Sequence, residues 1–200
     1  RLLPSDREGE REPELAELYT GCTEQADPSW TGGPQLSAAL LDGRRSEVFE
    51  RLTDALRARA PLEAIIDVLS IGAAQRMLRF DVDHDHNVEV QDNWLSVTHT
   101  QTFAAAIRRA ARTVSDPAIL RMLFHAARFI HASRVLDSAP ERCLSTEPTS
   151  HLGVEQVMDA ISAGQAQSAI GQVASWIRSG QDLQPLELAL LDRVISYSLT

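Results

Sequence analysis

The segment Leu36-Ser-Ala-Ala-Leu-Leu-Asp-Gly43 aligns without a gap with Val157-Met-Asp-Ala-Ile-Ser-Ala-Gly164. Further along, and after a short insertion in the second copy, Pro61-Leu62-Glu63 meets Pro185-Leu186-Glu187. Both copies therefore predict a helix, a glycine stop, a second helix, a proline and a third helix. Amphipathic helices can resemble one another by chance, but the matched glycine and proline favour a duplicated helical unit whose apolar stripes pack on neighbouring helices.

Helical periodicity continues outside the two copies, and no stretch alternates long enough to predict a strand. We expect an all-α helical bundle built from two related repeat units. Residues 1–14 are charged and contain prolines, which predicts a disordered lead-in. The rest is expected to form a single domain over 15–200, with repeat one at about 35–80, a histidine-rich loop and helix pair at 81–136, a loop at 137–150 and repeat two at about 151–200.

Local signals place the ends of several helices. Ser46 is predicted to cap the second helix, and Pro61 suits the first turn of the third. A long helix is expected from Asn93 to Arg112. The pair Asp116-Pro117 predicts the start of the next helix.

Composition excludes some functions. The formal charge of −9 argues against nucleic-acid binding, which needs clustered Lys and Arg. No apolar run approaches the roughly 20 residues that span a bilayer, so no membrane partner is expected. With only two cysteines in the chain, a disulfide framework is not expected, and we predict a cytoplasmic protein.

Polar chemistry is concentrated between Phe80 and Phe103 (FDVDHDHNVEVQDNWLSVTHTQTF). Asp83, His84 and His86 offer carboxylate and imidazole ligands that suit a divalent metal such as zinc, iron or manganese. Their spacing matches no closed zinc motif, so a solvated loop is the alternative.

His99 is the sharpest catalytic candidate. It lies with Thr102 in a helix segment unusually rich in Thr and Ser, which compete with the backbone for hydrogen bonds. We expect a polar pocket facing the bundle interior, with His99 as general base or metal ligand. His125, on the following helix, could face inward and join it. The alternative for His99 is a buried histidine satisfied by Thr and backbone groups, and the alternative for His125 is an ordinary surface or core residue.

Three aromatic residues could line a substrate pocket near His99, or could be plain core: Trp94, Phe103 and Phe124. No phosphate-binding glycine loop, G-x-S-x-G elbow or Cys-x-x-Cys pair is present, which disfavours nucleotide-binding enzymes, serine hydrolases and thiol redox proteins.

The segment Trp94-Leu-Ser-Val-Thr-His99-Thr-Gln-Thr-Phe103, followed by Leu120-Arg-Met-Leu-Phe-His-Ala-Ala-Arg-Phe129, resembles the helical questin oxidase-like family over roughly residues 36–136. It also resembles helical regions of proteins that carry a Rieske-type iron–sulfur domain. The resemblance implies oxidation of an aromatic, polyketide-like substrate by oxygen insertion next to a carbonyl. It carries over only His99 by motif position, with NADPH as a candidate cofactor and an iron–sulfur domain as a candidate partner.

Two functions follow from the sequence. The first is an oxidoreductase that acts on a small organic substrate through His99. The second is a non-catalytic helical repeat module that docks a partner protein or forms a homo-oligomer.

Overall fold

The computed structural model describes residues 8–86, 94–139, 147–148 and 153–198, and only the backbone path of residues 8–13, 86, 197 and 198. Within this part of the chain the protein is all-α, which confirms the predicted fold class. The described helices are α1 (Glu8–Thr23), α2 (Gly33–Asp42), α3 (Arg45–Arg57), α4 (Leu62–Arg79), α5 (Trp94–Thr113), α6 (Ile119–Ala132), α7 (Val154–Ser162), α8 (Ala166–Arg178) and α9 (Gln184–Ser198).

Most predicted helix starts agree with the structure. Pro61 is the residue directly before α4, and α5 begins one residue after the predicted Asn93. The Asp116 carboxylate accepts a 2.7 Å hydrogen bond from the Ala118 N–H just before α6, as expected of a residue that starts a helix.

The predicted cap at Ser46 is wrong. The residue before α3 is Arg44, and Ser46 lies inside the first helical turn. No side chain caps this end, so the helix start is set by packing of its apolar face rather than by a capping hydroxyl.

The chain divides into two compact units, residues 1–141 and 142–200. The sequence predicted one domain over 15–200, whereas the structure groups these residues into two bodies, and the division falls inside the loop predicted at 137–150. Helix α1 begins at Glu8, inside the segment predicted as a disordered lead-in, and the disorder of that segment stays a prediction. Residues 1–7 lie outside the described part of the chain.

Unit 1 has the larger core. Helix α4 lies at its centre and packs against α2, α5 and α6, while α3 contacts α1, α2 and α6. Trp30, in the turn-rich segment before α2, packs on this core. The largest fully buried apolar side chains are Leu36, Leu40, Leu52, Leu56, Ile65, Ile66, Leu69, Ile107, Leu120, Leu123 and Ile130.

Unit 2 has a much smaller core. Helix α7 packs against α8 and α9 through a cluster of Val157, Trp176 and Leu186. The Trp176 Nε1–H donates a 2.9 Å hydrogen bond to the Asp182 carbonyl, which ties the end of α8 to the turn before α9. A body this small buries little apolar surface for its length, which leaves limited stability.

The helix plans of the two aligned segments agree closely. Helices α3 and α8 have the same length, and Arg57 and Arg178, which end them, are aligned residues. Their preceding glycines differ, because Gly164 has a left-handed φ of 68° whereas Gly43 does not. Gly43 is needed for another reason: a Cβ there would lie 2.8 Å from the Ala39 backbone. The duplication itself stays a prediction.

Candidate binding groove

His99 does not face the bundle interior. The buried face of α5 consists of Val97, Thr100, Ala104 and Ile107, and His99 is exposed to solvent. Successive helical residues are rotated by about 100°, so Thr100 takes the inward position and turns its neighbour His99 away from the core. The predicted interior pocket around His99 is therefore wrong.

Three threonine hydroxyls of α5 donate their hydrogen bonds to backbone carbonyls of the same helix. The hydroxyls of Thr98, Thr100 and Thr102 donate to carbonyls three residues earlier, at 3.0, 2.7 and 3.1 Å. Thr102 thus bonds the backbone carbonyl of His99 and is itself exposed. This back-bonding explains how a Thr-rich run is accommodated in a helix without an interior pocket.

The acidic loop before α5 has a structural role. Val82–His86 forms a short 3-10 turn, in which the Asp81 carboxylate accepts from the Asp83 N–H at 3.1 Å. The Asp85 carboxylate accepts a 3.0 Å hydrogen bond from the Trp94 N–H, at the first residue of α5. A negative charge at this point favours the exposed N–H groups and dipole of the helix start.

The predicted metal site is not assembled from the described residues. Asp83 is exposed and His84 is half-buried with its ring 6.2 Å from that of Phe80. The third predicted ligand, His86, has its side chain outside the described part of the chain. Among the side chains that the structure describes, no three of His, Cys, Asp or Glu are grouped so that they could hold a metal ion.

The three aromatic residues predicted to share a pocket lie in different environments. Trp94 packs edge-on against Phe80, with ring centroids 5.3 Å apart, and Phe124 packs against Phe49 at 6.0 Å. Phe103 instead pairs with Phe129 at 6.5 Å. The predicted common pocket is wrong because these side chains fill separate gaps between helices.

Phe103 and His125 do meet, in a surface groove between α5 and α6. The groove has a volume of about 480 Å³ and is lined by Phe103, His125, Arg128, Phe129 and Ala132. His125 is exposed there rather than turned inward, and His99 does not line the groove. This groove is open, and the described residues that line it include no carboxylate, cysteine or second histidine beside His125.

A buried arginine escaped the sequence reasoning. The Arg76 side chain is fully buried, forms an ion pair with Asp137, and donates to the carbonyls of Leu40, Leu41 and Ile130. Burial raises the pKa of Asp137 above its ordinary value, although Arg76 opposes the shift. The available signal was the spacing, because Arg76 falls on the same helical stripe as the buried Leu69 and Ala73.

Two further side chains bond the end of α2. His131 Nε2 lies 3.0 Å from the Gly43 carbonyl, and Arg134 donates to the carbonyls of Asp42 and Gly43. Carbonyls at the last turn of a helix lack partners within the helix and carry partial negative charge, which cationic groups stabilise. His131 thus serves the fold.

The second feature that sequence reasoning missed is the outward face of α9. Five large apolar side chains on this helix are between 37% and 63% exposed: Leu188, Leu190, Leu191, Val194 and Ile195. Their signal in the sequence was a helix that is apolar nearly all round, which is typical of a segment buried on more than one side.

Comparisons with known protein families, with curated protein sequences and with solved structures found no match. Within the described ranges, none of the helices has both the length and the apolar character to cross a bilayer. The case for each candidate site therefore depends on the geometry of this protein alone.

Proposed function

We propose that this protein is a non-catalytic helical module that binds a partner protein through the outward face of α9. The observation that carries the proposal is the exposure of five large apolar side chains on that helix. Contiguous apolar surface on one face of a helix marks an interaction site in soluble proteins. The partner that fits is an amphipathic helix with basic residues beside its apolar stripe.

The two sides of α9 have different neighbours. Leu186 is buried against Val157 and Trp176 of unit 2, and Ala189 and Arg193, on the same side of the helix, are only partly exposed. Leu188, Leu191 and Ile195 lie on the opposite side at i, i+3 and i+7. This spacing is the seam along which one helix packs on another in coiled coils.

Charge selects the partner. Glu187 and Asp192 flank the Leu188–Leu191–Ile195 stripe, and neither forms an ion pair with a residue that the structure describes. The one basic residue of the helix, Arg193, donates a 2.6 Å hydrogen bond to the Ser162 hydroxyl within unit 2. Pairing of two copies through α9 would bring acidic flanks together, so a partner with basic flanks is favoured over self-association.

The oxidoreductase alternative has less support. It rested on an interior pocket at His99, and that residue is exposed. The resemblance to the questin oxidase-like family, and with it the NADPH, iron–sulfur and small-substrate expectations, stays a prediction. His99 is exposed and lines neither of the two grooves described along α5, so the described residues give it no means of excluding water or orienting a substrate.

Two synthetic helices of about 20 residues test the proposal. Both carry the same leucine stripe; one has lysine flanks and the other glutamate flanks. We expect the lysine-flanked helix to bind the full chain with a dissociation constant below about 1 mM, measured by fluorescence anisotropy, and an excess of the glutamate-flanked helix not to displace it. The proposal is contradicted if the lysine-flanked helix does not bind at concentrations up to about 1 mM. It is also contradicted if size-exclusion chromatography shows that the chain dimerises through α9.

The chain offers a matched pair of variants for this experiment. Ile195 on α9 and Ile71 on α4 are aligned residues, and they are similarly exposed, at 50% and 55%. Ile195→Gln should weaken binding of the lysine-flanked helix roughly tenfold, since burying an isoleucine contributes about 1.5–3 kcal/mol. Ile71→Gln should leave it unchanged. Equal effects of the two substitutions would show that binding does not involve α9.

A further inference from the structure

We infer that the groove between α5 and α6 is a second binding site, which takes an acidic segment of a partner protein that presents an apolar side chain. The inference is independent of the role proposed for α9. It rests on two observations. Phe103 and Phe129 form a partly exposed pair of rings, and Arg128 beside them forms no ion pair with a described carboxylate.

The apolar part of the groove is already shaped. The rings of Phe103 and Phe129 meet edge to face, with an interplanar angle of 70°, so that one ring supports the other. Phe129 is still 39% exposed, and the small side chain of Ala132 leaves the space next to it open. An inserted leucine or phenylalanine would bury apolar surface on a preformed wall, at little cost in ordering the groove.

The polar part of the groove is cationic. Arg128 and His125 both line the groove. Arg121 lies on the same face of α6, because Arg121, His125 and Arg128 are spaced i, i+4 and i+7. Arg128 forms no ion pair with any residue that the structure describes. Arginine next to exposed aromatic rings is the composition that is enriched in the energetically important part of protein interfaces.

A neighbouring groove on the other side of α5 shows the contrast. It has a volume of about 390 Å³ and is lined by three arginines. Arg108 pairs with Asp67 at 2.6 Å and Arg112 lies 3.4 Å from Glu63, whereas Arg109 forms no ion pair with a residue that the structure describes. The protein has 28 acidic and 19 basic residues, so carboxylates are abundant. That Arg128 lacks one leaves its charge available to a ligand.

These features select an acidic and apolar peptide segment. A carboxylate can form a charge-assisted, two-pronged hydrogen bond with the Arg128 guanidinium while an adjacent apolar side chain contacts Phe129. A basic partner would be repelled by Arg128. Nucleic acid is excluded because so few basic groups face the groove in a chain of charge −9.

The glutamate-flanked synthetic helix is the probe for this site. We expect it to bind the full chain with a dissociation constant below about 1 mM, and Arg128→Glu to weaken that binding at least tenfold. Arg51→Glu makes the same charge change at an exposed residue of α3 in the same unit and should have little effect. Circular dichroism establishes that both variants fold.

A second variant tests the apolar wall. Phe129→Ala should weaken binding of the glutamate-flanked helix by a similar factor without altering the lysine-flanked helix, which is assigned to α9. The inference is overturned if Arg51→Glu and Arg128→Glu weaken binding equally. It is also overturned if neither Arg128→Glu nor Phe129→Ala weakens binding. Because the two probes carry opposite charges, failure at this groove is distinguishable from failure at α9.

Discussion

Helices α4 and α9 occupy the same place in the two aligned segments, yet one is buried and the other is largely exposed. Helix α4 is covered by α2, α5 and α6, and its buried residues are Leu62, Ile65, Ile66, Leu69, Gly72, Ala73 and Arg76. Helix α9 packs against α7 and buries Leu186. Similar sequence plans thus form similar helices, while the helices around them determine which faces become core and which remain available for binding.

The two segments also differ in polar chemistry. In unit 1 the carbonyls at the end of α2 are bonded by Arg76, His131 and Arg134. The residue aligned with Arg76 is residue 200, outside the described part of the chain. Helix α7 ends instead with the left-handed Gly164, whose N–H bonds the Ile161 carbonyl at 3.0 Å. Unit 1 therefore depends on long-range polar contacts at a point where unit 2 uses a local one.

The largest expected effect is the loss of the buried arginine. Arg76→Leu should lower the free energy of unfolding of unit 1 by about 3–5 kcal/mol, because it leaves three carbonyls without their donor and Asp137 with only the more distant Arg79, 3.8 Å away. Urea unfolding in a Trp176→Phe background measures this change, since Trp30 and Trp94 then report on unit 1 alone. Arg79→Leu is the control: Arg79 is partly exposed, and its pair with Asp42 and its 3.8 Å approach to Asp137 should together contribute about 1 kcal/mol or less. Equal losses from both variants would contradict the special role of Arg76.

The second prediction uses aligned apolar residues. Ile66, on α4, is 1% exposed, whereas its aligned residue Leu190, on α9, is 37% exposed. Ile66→Ala should cost about 2–5 kcal/mol of unfolding free energy because it opens a cavity in the core of unit 1. Leu190→Ala should cost less than about 1 kcal/mol. Circular dichroism during urea unfolding measures both, and a large loss from Leu190→Ala would mean that another part of the protein covers α9.

A smaller effect is expected from the indole hydrogen bond of unit 2. Trp176→Phe keeps an aromatic ring in the core but removes the donor to the Asp182 carbonyl. The expected cost is about 1 kcal/mol. Hydrogen exchange followed by mass spectrometry should show faster exchange in α7 and α8 and unchanged exchange in α4, and equal protection in the variant would show that the bond contributes nothing.

The smallest effect is on pH dependence. The hydrogen bond from Arg79 lowers the pKa of Asp42 below its ordinary value, so the stabilisation is present above about pH 3.9 and is lost as the pH falls through the lower folded pKa. Asp42 is exposed, so only a few tenths of a kcal/mol are expected. The difference in unfolding free energy between the wild type and Asp42→Asn, measured by urea unfolding, should shift in favour of the wild type as the pH rises from 2.5 to 7. A constant difference over this range would contradict the assignment.

Much of the architecture was predictable from local signals. The start of α4 after Pro61, the start of α6 after Asp116 and the end of α2 at Gly43 all agree with the structure. The candidate site was predicted poorly. The Thr-rich run around His99 was interpreted as a pocket, whereas each hydroxyl bonds a carbonyl of its own helix.

Local sequence signals place most of the helices, because periodicity, prolines and glycines act within a few residues of one another. Packing between helices is the reason that Arg76 is buried, that His99 is exposed and that Phe103 joins Phe129 in a groove. These outcomes depend on contacts between residues far apart in the chain. An apolar stripe predicts that one face of a helix is buried. Which neighbouring helix buries that face, or whether it stays exposed to a partner, depends on tertiary packing.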